Sequence, residues 1–356
     1  MEAPALRRRH LGVGGLPVSA VRAALAAAAR DHRALGDAEA VALLGADGAE
    51  LEELAGLADA VRRARVGEDL TFVVNRNLDG TRVGDPAARG LLHDLVQEAA
   101  ALGATEVCVQ GPVPASAGPE GYLELVEAVA RAAPGIHLHA FRPPELLEAA
   151  HRRGSSLRAF LVAAAGAGLG SVPGTAAKVL DDDVRTALNG GVPDLPVARW
   201  VETVVTAHEV GLTSTSTLVH GGPETPAQQV AHLRLLAGVA ARTGGFTEFI
   251  AMPSPAGPGP SPRATRALHA VARLLLDGYV DHVQAAWPKH GPDLTEQLLR
   301  GGADDLGGLL LDGSLDPAAG QEAGTTLSRE GAAALADRLG RPLRQRTTRY
   351  GEPAVP

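Results

Sequence analysis

One cysteine, Cys108, stands in a chain of 356 residues. A single thiol excludes an internal disulfide framework and any all-cysteine metal site within one chain. Lysine is almost as scarce, occurring only at Lys178 and Lys289, and arginine carries the positive charge instead. The balance of 33 basic against 41 acidic residues gives a formal charge of −8, which offers no broad attraction to phosphate backbones, so nucleic acid is not an expected partner. No run approaches the roughly 20 apolar residues of a membrane span. The start, Met1–His10, turns basic without an apolar core and cleavage site behind it, so a cytoplasmic protein with no membrane partner is expected. The 45% of hydrophobic residues suffice for one large domain, or a domain with an added segment.

Residues 17–66 carry helical spacing without strand signals. Val18, Val21 and Leu25, then Ala38, Val41 and Leu44, then Leu51, Leu54, Leu57 and Val61 recur at three and four residues. This predicts an N-terminal helical cap over 1–66. The body, 67–312, alternates β-rich runs with amphipathic segments. Strands are expected at Leu70 to Val74, Thr105 to Val109, Ile136 to Ala140, Ser214 to Val219, Phe246 to Ala251 and Val280 to Ala285. Helices are expected near 85–102, 120–133, 144–153, 196–210, 224–242 and 262–276. Strands followed by helices imply a parallel sheet, and a barrel is favoured because polar residues gather just after successive strands. The segment 313–356 is expected to return to the barrel.

Those strand ends carry the candidate chemistry: Asn75, Arg76 and Asn77; Gln110 and Gly111; His137 and His139; Thr175; Thr215, Thr217 and His220; Glu248; and Gln284 with Trp287. In a parallel barrel the carboxyl ends of the strands form one rim, so distant residues converge into a polar pocket. Any one of them alone more often caps a helix or satisfies backbone. His137 and His139 sit two apart and project from one strand face, a spacing that metal-dependent hydrolase barrels use. Nothing fixes His208, His220, His282 or Asp281 near them, so a hydrogen-bonded or packed pair is the expectation and no metal is assigned. Cys108, inside the apolar run Val107-Cys108-Val109, reads as core filler. The arginines of Gly340–Tyr350 read as a solvated tail or as a clamp for an anionic group.

With those segments in view, the chain resembles the radical SAM enzymes that make the deazaflavin precursor FO, in particular the second FO synthase subunit, which joins a tyrosine-derived fragment to a ribitylaminouracil. The carriers run from about Ala38 to Tyr350. They include Thr71-Phe72-Val73-Val74-Asn75-Arg76-Asn77, Gly103 to Gly111, His137-Leu138-His139-Ala140-Phe141, Pro173-Gly174-Thr175-Ala176-Ala177 and Thr206 to Leu212. Thr243-Gly244-Gly245-Phe246-Thr247-Glu248-Phe249, Asp305-Leu306-Gly307-Gly308 and Gln345-Arg346-Thr347-Thr348 complete them. The resemblance implies a radical-SAM-type (β/α) partial barrel, and the family uses a [4Fe-4S] cluster and S-adenosyl-L-methionine (SAM).

The departures fall on the chemistry. The family's loop after the first strand carries Cys-x-x-x-Cys-x-x-Cys, whose thiolates hold three irons. Here Asn77 is followed by Leu78-Asp79-Gly80-Thr81-Arg82-Val83-Gly84 and then Asp85-Pro86. The family's paired glycines after the second strand become Gly111-Pro112, the glutamate of Gly-Thr-Ala-Ala-Glu becomes Lys178, and Tyr-Gly-His becomes His220-Gly221-Gly222. The expectation is therefore a cluster-free protein with no cofactor, unable to cleave SAM. It would bind a small molecule or partner a cluster-bearing paralogue. Two alternatives stay open: an enzyme repurposed to non-radical acid–base chemistry on a tyrosine-like or uracil-like molecule, and an authentic transferase whose sequence has lost residues between Asn77 and Asp85.

Overall fold

The β-branched run that opens the body becomes the first stave of a ring. The computed structural model describes residues 18–255, 258–310 and 327–353. The basic start Met1–His10 and the boundary expected at 312 lie outside the described residues. Eight strands follow one another: β1 (Leu70–Asp79), β2 (Glu106–Gln110), β3 (His137–Ala140), β4 (Leu169–Val172), β5 (Thr213–His220), β6 (Phe246–Pro253), β7 (His282–Gln284) and β8 (Asp305–Leu310). Each pairs in parallel with the next, and β1 pairs with both β2 and β8, which closes the ring. This is the expected radical-SAM-type α/β barrel, ringed by helices and preceded by a helical region.

Period-two alternation sorts the side chains between two environments. On β1, Phe72 and Val74 enter the hydrophobic layer under the helices, while Val73, Asn75 and Asn77 face the interior. The helices start where their caps dictate. Thr225 and Gln228 form a reciprocal capping box, with Gln228 Oε1 accepting from the Thr225 amide at 2.9 Å, and Pro226 takes the first position of the helix Pro226–Thr243.

The N-terminal helices Val18–Asp31, Asp37–Leu43 and Gly48–Val66 pack on the outer helices Pro226–Thr243 and Pro262–Leu276, not as a separate body. Leu25, Leu43 and Leu54 share one core with Leu268 and Leu275. Polar ties fix the seam: His32 and Arg33 both meet Asp277 Oδ2, at 2.9 and 2.8 Å, and Arg263 donates to the carbonyls of Leu44 and Ala46 at 3.1 and 2.8 Å. Among the described residues, no helix is long and apolar enough to cross a membrane.

Three strands escaped the sequence pattern: β4 and β8 are diluted by glycine, and β9 (Leu343–Gln345) is short and polar. β9 pairs with β1 from Leu70 to Phe72, whereas β2 pairs with β1 only from Asn75 onward. β9 therefore occupies the edge of β1 below β2, at the amino end of the barrel. Two of the four arginines of this segment, Arg341 and Arg346, correct both sequence readings, whereas Arg349 is exposed. Arg341 is buried and donates to the carbonyls of Glu68, Asp69, Leu299 and Ala303, and Arg346 points into the barrel. They are structural ties, neither a solvated tail nor an anion clamp.

If the cap and barrel are one cooperative unit, Leu54→Ala should cost about 2–5 kcal/mol of global stability, read as a single shifted denaturant transition. A biphasic transition with the main step unmoved would show that the cap folds apart.

Candidate functional site

The barrel floor is built from charge. Arg346 grips Asp305 on β8 with both arms of its guanidinium, Nε to Oδ2 at 2.5 Å and Nη2 to Oδ1 at 2.8 Å, and the pair is almost fully buried. Thr71 on β1 donates its hydroxyl to the same Oδ2 at 2.6 Å, and the Gly307 amide donates to Oδ1 at 2.7 Å. The Tyr350 ring lies 4.0 Å from the Arg346 guanidinium and stacks on His282, with ring centres 3.4 Å apart. Thr348 donates to Glu106 at 2.7 Å. Beside this floor lies a cavity of about 220 Å³ inside the barrel.

Eight of the residues singled out in the sequence line that cavity: Asn75, Asn77, Gln110, His139, Thr175, Thr215, Glu248 and Gln284. Six do not. Arg76 faces outward, because its neighbours on β1 face in, and bonds to Glu98 and the Leu95 carbonyl. Gly111 turns the chain at φ +88° beside Gly80. Thr217 donates to the Gly174 carbonyl at 2.8 Å, and Trp287 donates to the Gly308 carbonyl at 2.9 Å, so both are spent on backbone. His220 is buried off the cavity, near His290. His137 and His139 both meet one hydroxyl, Ser171 Oγ, at 2.7 and 2.6 Å. A serine has one hydrogen, so it donates to one imidazole and accepts from the other.

The other histidines weighed as ligands are elsewhere. His208 bonds to Thr243 and Ser214 hydroxyls, and His282 to Asp304 at 2.6 Å. Among the described residues, no group of three His, Cys, Asp or Glu side chains is placed to hold a metal ion.

Sequence reasoning missed Glu106, Arg346 and the glycines of β8. Glu106 lies three residues after the Gly103 turn, at the start of β2, and its inward parity with Cys108 and Gln110 was the available signal. A side chain at Gly308 would put its Cβ 2.2 Å from Asn75 Oδ1, and one at Gly307 would put it 2.0 Å from Gln284 Nε2. The two glycines make room for two cavity amides. Cys108 also lines the cavity, so it is buried but not part of the outer apolar layer.

Burial sets the proton inventory. It pushes the Glu248 carboxyl up to about 7, against the opposing pull of Arg346 and the Thr247 hydroxyl, with Asp305 and Glu106 adding to the rise. Burial works against the charged form of Glu106 as well. There His139, the Thr348 hydroxyl, His137 and Arg346 outweigh it and hold the carboxyl below its usual range. Burial lowers His137 to about 4 and lowers His139 too, which keeps both imidazoles neutral near pH 7.

No family model matches the chain. Individual relatives do. It is 43% identical over 362 aligned positions to the FO synthase of Nocardia farcinica, covering 94% of this chain and 42% of that protein. The FO synthase of Streptomyces coelicolor is also 43% identical, with 93% of this chain and 41% of that one covered. The chain thus spans less than half the length of these relatives. It is 34% identical to the 5-amino-6-(D-ribitylamino)uracil–L-tyrosine 4-hydroxyphenyl transferase 1 of Methanosarcina barkeri, over 84% of this chain and 86% of that one.

The chain belongs to the FO synthase family.

Among solved structures, the FeFe-hydrogenase maturase HydG from Carboxydothermus hydrogenoformans superposes with a TM-score of 0.68 at 12% identity, over 93% of this chain and 80% of that one. Methylornithine synthase (PylB) does so at 0.63 and 15%, over 91% and 97%. Both likenesses concern the fold.

The residues present do not fit the FO synthase family's [4Fe-4S] cluster, which needs three thiolates beyond SAM's own contacts. The one thiol, Cys108, sits in the β2 wall. Where the family's loop would leave the barrel, β1 continues, with Asn75 to Asp79 in register against Glu106 to Gln110. A single helical turn, Gly80–Val83, follows, capped by Asp79, whose Oδ1 accepts from the Thr81 amide at 2.9 Å. Leu78 and Val83 are fully buried, so this segment is packed core, not an exposed loop.

Glu248 should leave a mark on stability. Its carboxyl titrates near 4.5 when unfolded and about 7 when folded. The folded state binds the extra proton in that window, so stability falls as pH rises through it and is fully reduced above about 7. Glu248→Gln should therefore raise the melting temperature more at pH 8 than at pH 5, with a differential of ~2–3 kcal/mol at most. An equal effect at both pH values would contradict the raised carboxyl.

Proposed function

We propose that this chain is a cluster-free member of the FO synthase family, one that binds a small molecule in its barrel cavity without cleaving SAM. It would act as a ligand-binding subunit or as the partner of a cluster-bearing relative. The observation that carries this reading is the extended β1: the residues after Asn77 are free of thiols and stay in register against β2 as far as Asp79, beside a cavity lined by polar side chains. One thiolate cannot anchor a four-iron cluster, and without its electron the sulfonium of SAM has no route to homolysis. What this chain's residues can do is bind and orient. Asn75, Asn77, Gln110 and Gln284 offer amides, Thr175 and Thr215 hydroxyls, and Val73, Ile250 and Met252 an apolar side.

A second reading rests on Glu248. A buried carboxyl held near neutrality can give or take a proton at physiological pH. That supports non-radical acid–base chemistry in the same cavity, with neutral His139 as a second proton carrier.

The test is deoxyadenosine formation from SAM under anaerobic reducing conditions, run beside a three-cysteine member of the family. The proposal expects product from the relative and none from this chain. Deoxyadenosine from this chain at a comparable rate would overturn it and restore the family's radical transferase activity.

A further inference from the structure

Three asparagines occur in this chain, Asn75, Asn77 and Asn189. The first two lie on β1 and are followed by Arg76 and Leu78. Asn189 is followed by Gly190 and Gly191, and the run from Asn189 to Pro193 is exposed. It ends the helix Asp182–Leu188 in a Schellman turn, in which the Gly191 amide donates to the Thr186 carbonyl at 2.9 Å and the Gly190 amide to the Ala187 carbonyl at 3.2 Å. That turn needs a positive φ at 190, +69° here, which is why glycine follows the asparagine.

Two neighbours orient the Asn189 side chain. Its Nδ2 donates to the Val192 carbonyl at 3.1 Å, and Lys178 Nζ stands 3.5 Å from its Oδ1. The reverse orientation would set an NH2 group against an ammonium, so the oxygen faces the cation. Lys178 is held in place by Asp194, whose Oδ2 lies 2.8 Å from Nζ and 3.3 Å from Arg185.

We propose that Asn189 is a site of spontaneous deamidation, with Lys178 assisting the attack and then pairing with the product. The Gly190 backbone nitrogen forms a bond to Asn189 Cγ, the Cγ–Nδ2 bond breaks, and Nδ2 leaves as ammonia with the proton that the Gly190 amide gives up. Water then opens the five-membered imide at one of its two carbonyls, which leaves aspartate or isoaspartate at 189 with no redox change. Negative charge develops on Oδ1 during the attack, and Lys178 is the cation beside it. Glycine at 190 presents no Cβ to the approaching carbon. The Gly190 amide must first leave the Ala187 carbonyl, which fraying of the helix end permits. A carboxylate at 189 cannot donate to the Val192 carbonyl, so conversion removes the side-chain bond across 189–192 and sets a negative charge beside Lys178.

The test incubates the intact chain at pH 8, folded and in urea, and reads its peptides by mass spectrometry with separation of aspartate from isoaspartate. Asn189 in the folded chain should convert within about tenfold of its rate in urea, because opening a helix end costs little. Asn75 and Asn77 should stay intact in the folded chain, and a more acidic species should grow in on ion exchange. Lys178→Met should slow the folded-state conversion about two- to fivefold, the worth of one exposed charge, and leave the rate in urea unchanged, while Lys178→Arg should keep the folded-state rate. Protection of Asn189 well beyond tenfold in the folded wild-type chain would overturn the proposal whether or not the variants fold. Equal folded-state rates in wild type and Lys178→Met would overturn the part given to Lys178.

Discussion

The buried pair of Asp305 and Arg346 is the constraint on which the rest of this barrel depends. Taking two charges out of water is expensive, and the cost is met only when geometry and further hydrogen bonds are good. Here the guanidinium is bidentate, and Thr71 and the Gly307 amide satisfy the remaining lone pairs of the carboxylate. Those four groups come from β1, β8 and the C-terminal segment, so one pair of charges locks the point where the ring closes to the strand that plugs it. Tyr350, stacked on Arg346 and His282, seals the same floor. The floor sets the Arg346 charge against the rise that burial gives the Glu248 carboxyl.

The same floor explains why the cavity persists in a chain without the family's cluster thiols. The walls are held by strand register and by glycines at Gly307 and Gly308 that admit the Asn75 and Gln284 amides. None of those supports uses the segment after β1. The buried Leu78 at the end of β1 and Val83 just after it contribute apolar contacts of their own.

Much of this was legible in the sequence. Six of the eight barrel strands follow from apolar runs of the right length, and the inward parity of Asn75, Asn77 and Gln110 follows from period two. Glycine hid the rest: β4 and β8 lose their apolar pattern to residues whose purpose is to make space for His137, Asn75 and Gln284. Arg341 and Arg346 were misread because a buried arginine and an exposed one look alike until the carbonyls and carboxylate around them are known. His220 and Trp287 misled for a related reason: a strand-end position fixes which end of the barrel a residue occupies, not whether its side chain turns into the cavity. Arg76 contradicted the parity that Asn75 and Asn77 obey, and that parity alone was enough to point it outward.

The central claim is that the interior of an FO synthase family barrel is retained here as a binding site without a cluster. Iron bound per chain after anaerobic reconstitution with iron and sulfide, read by Mössbauer spectroscopy on the intact protein, tests it most directly. The account predicts no spectrum of a four-iron cluster and no stoichiometric iron. A four-iron signal near one cluster per chain would contradict it, because it would require ligands that the single thiol at Cys108 does not supply.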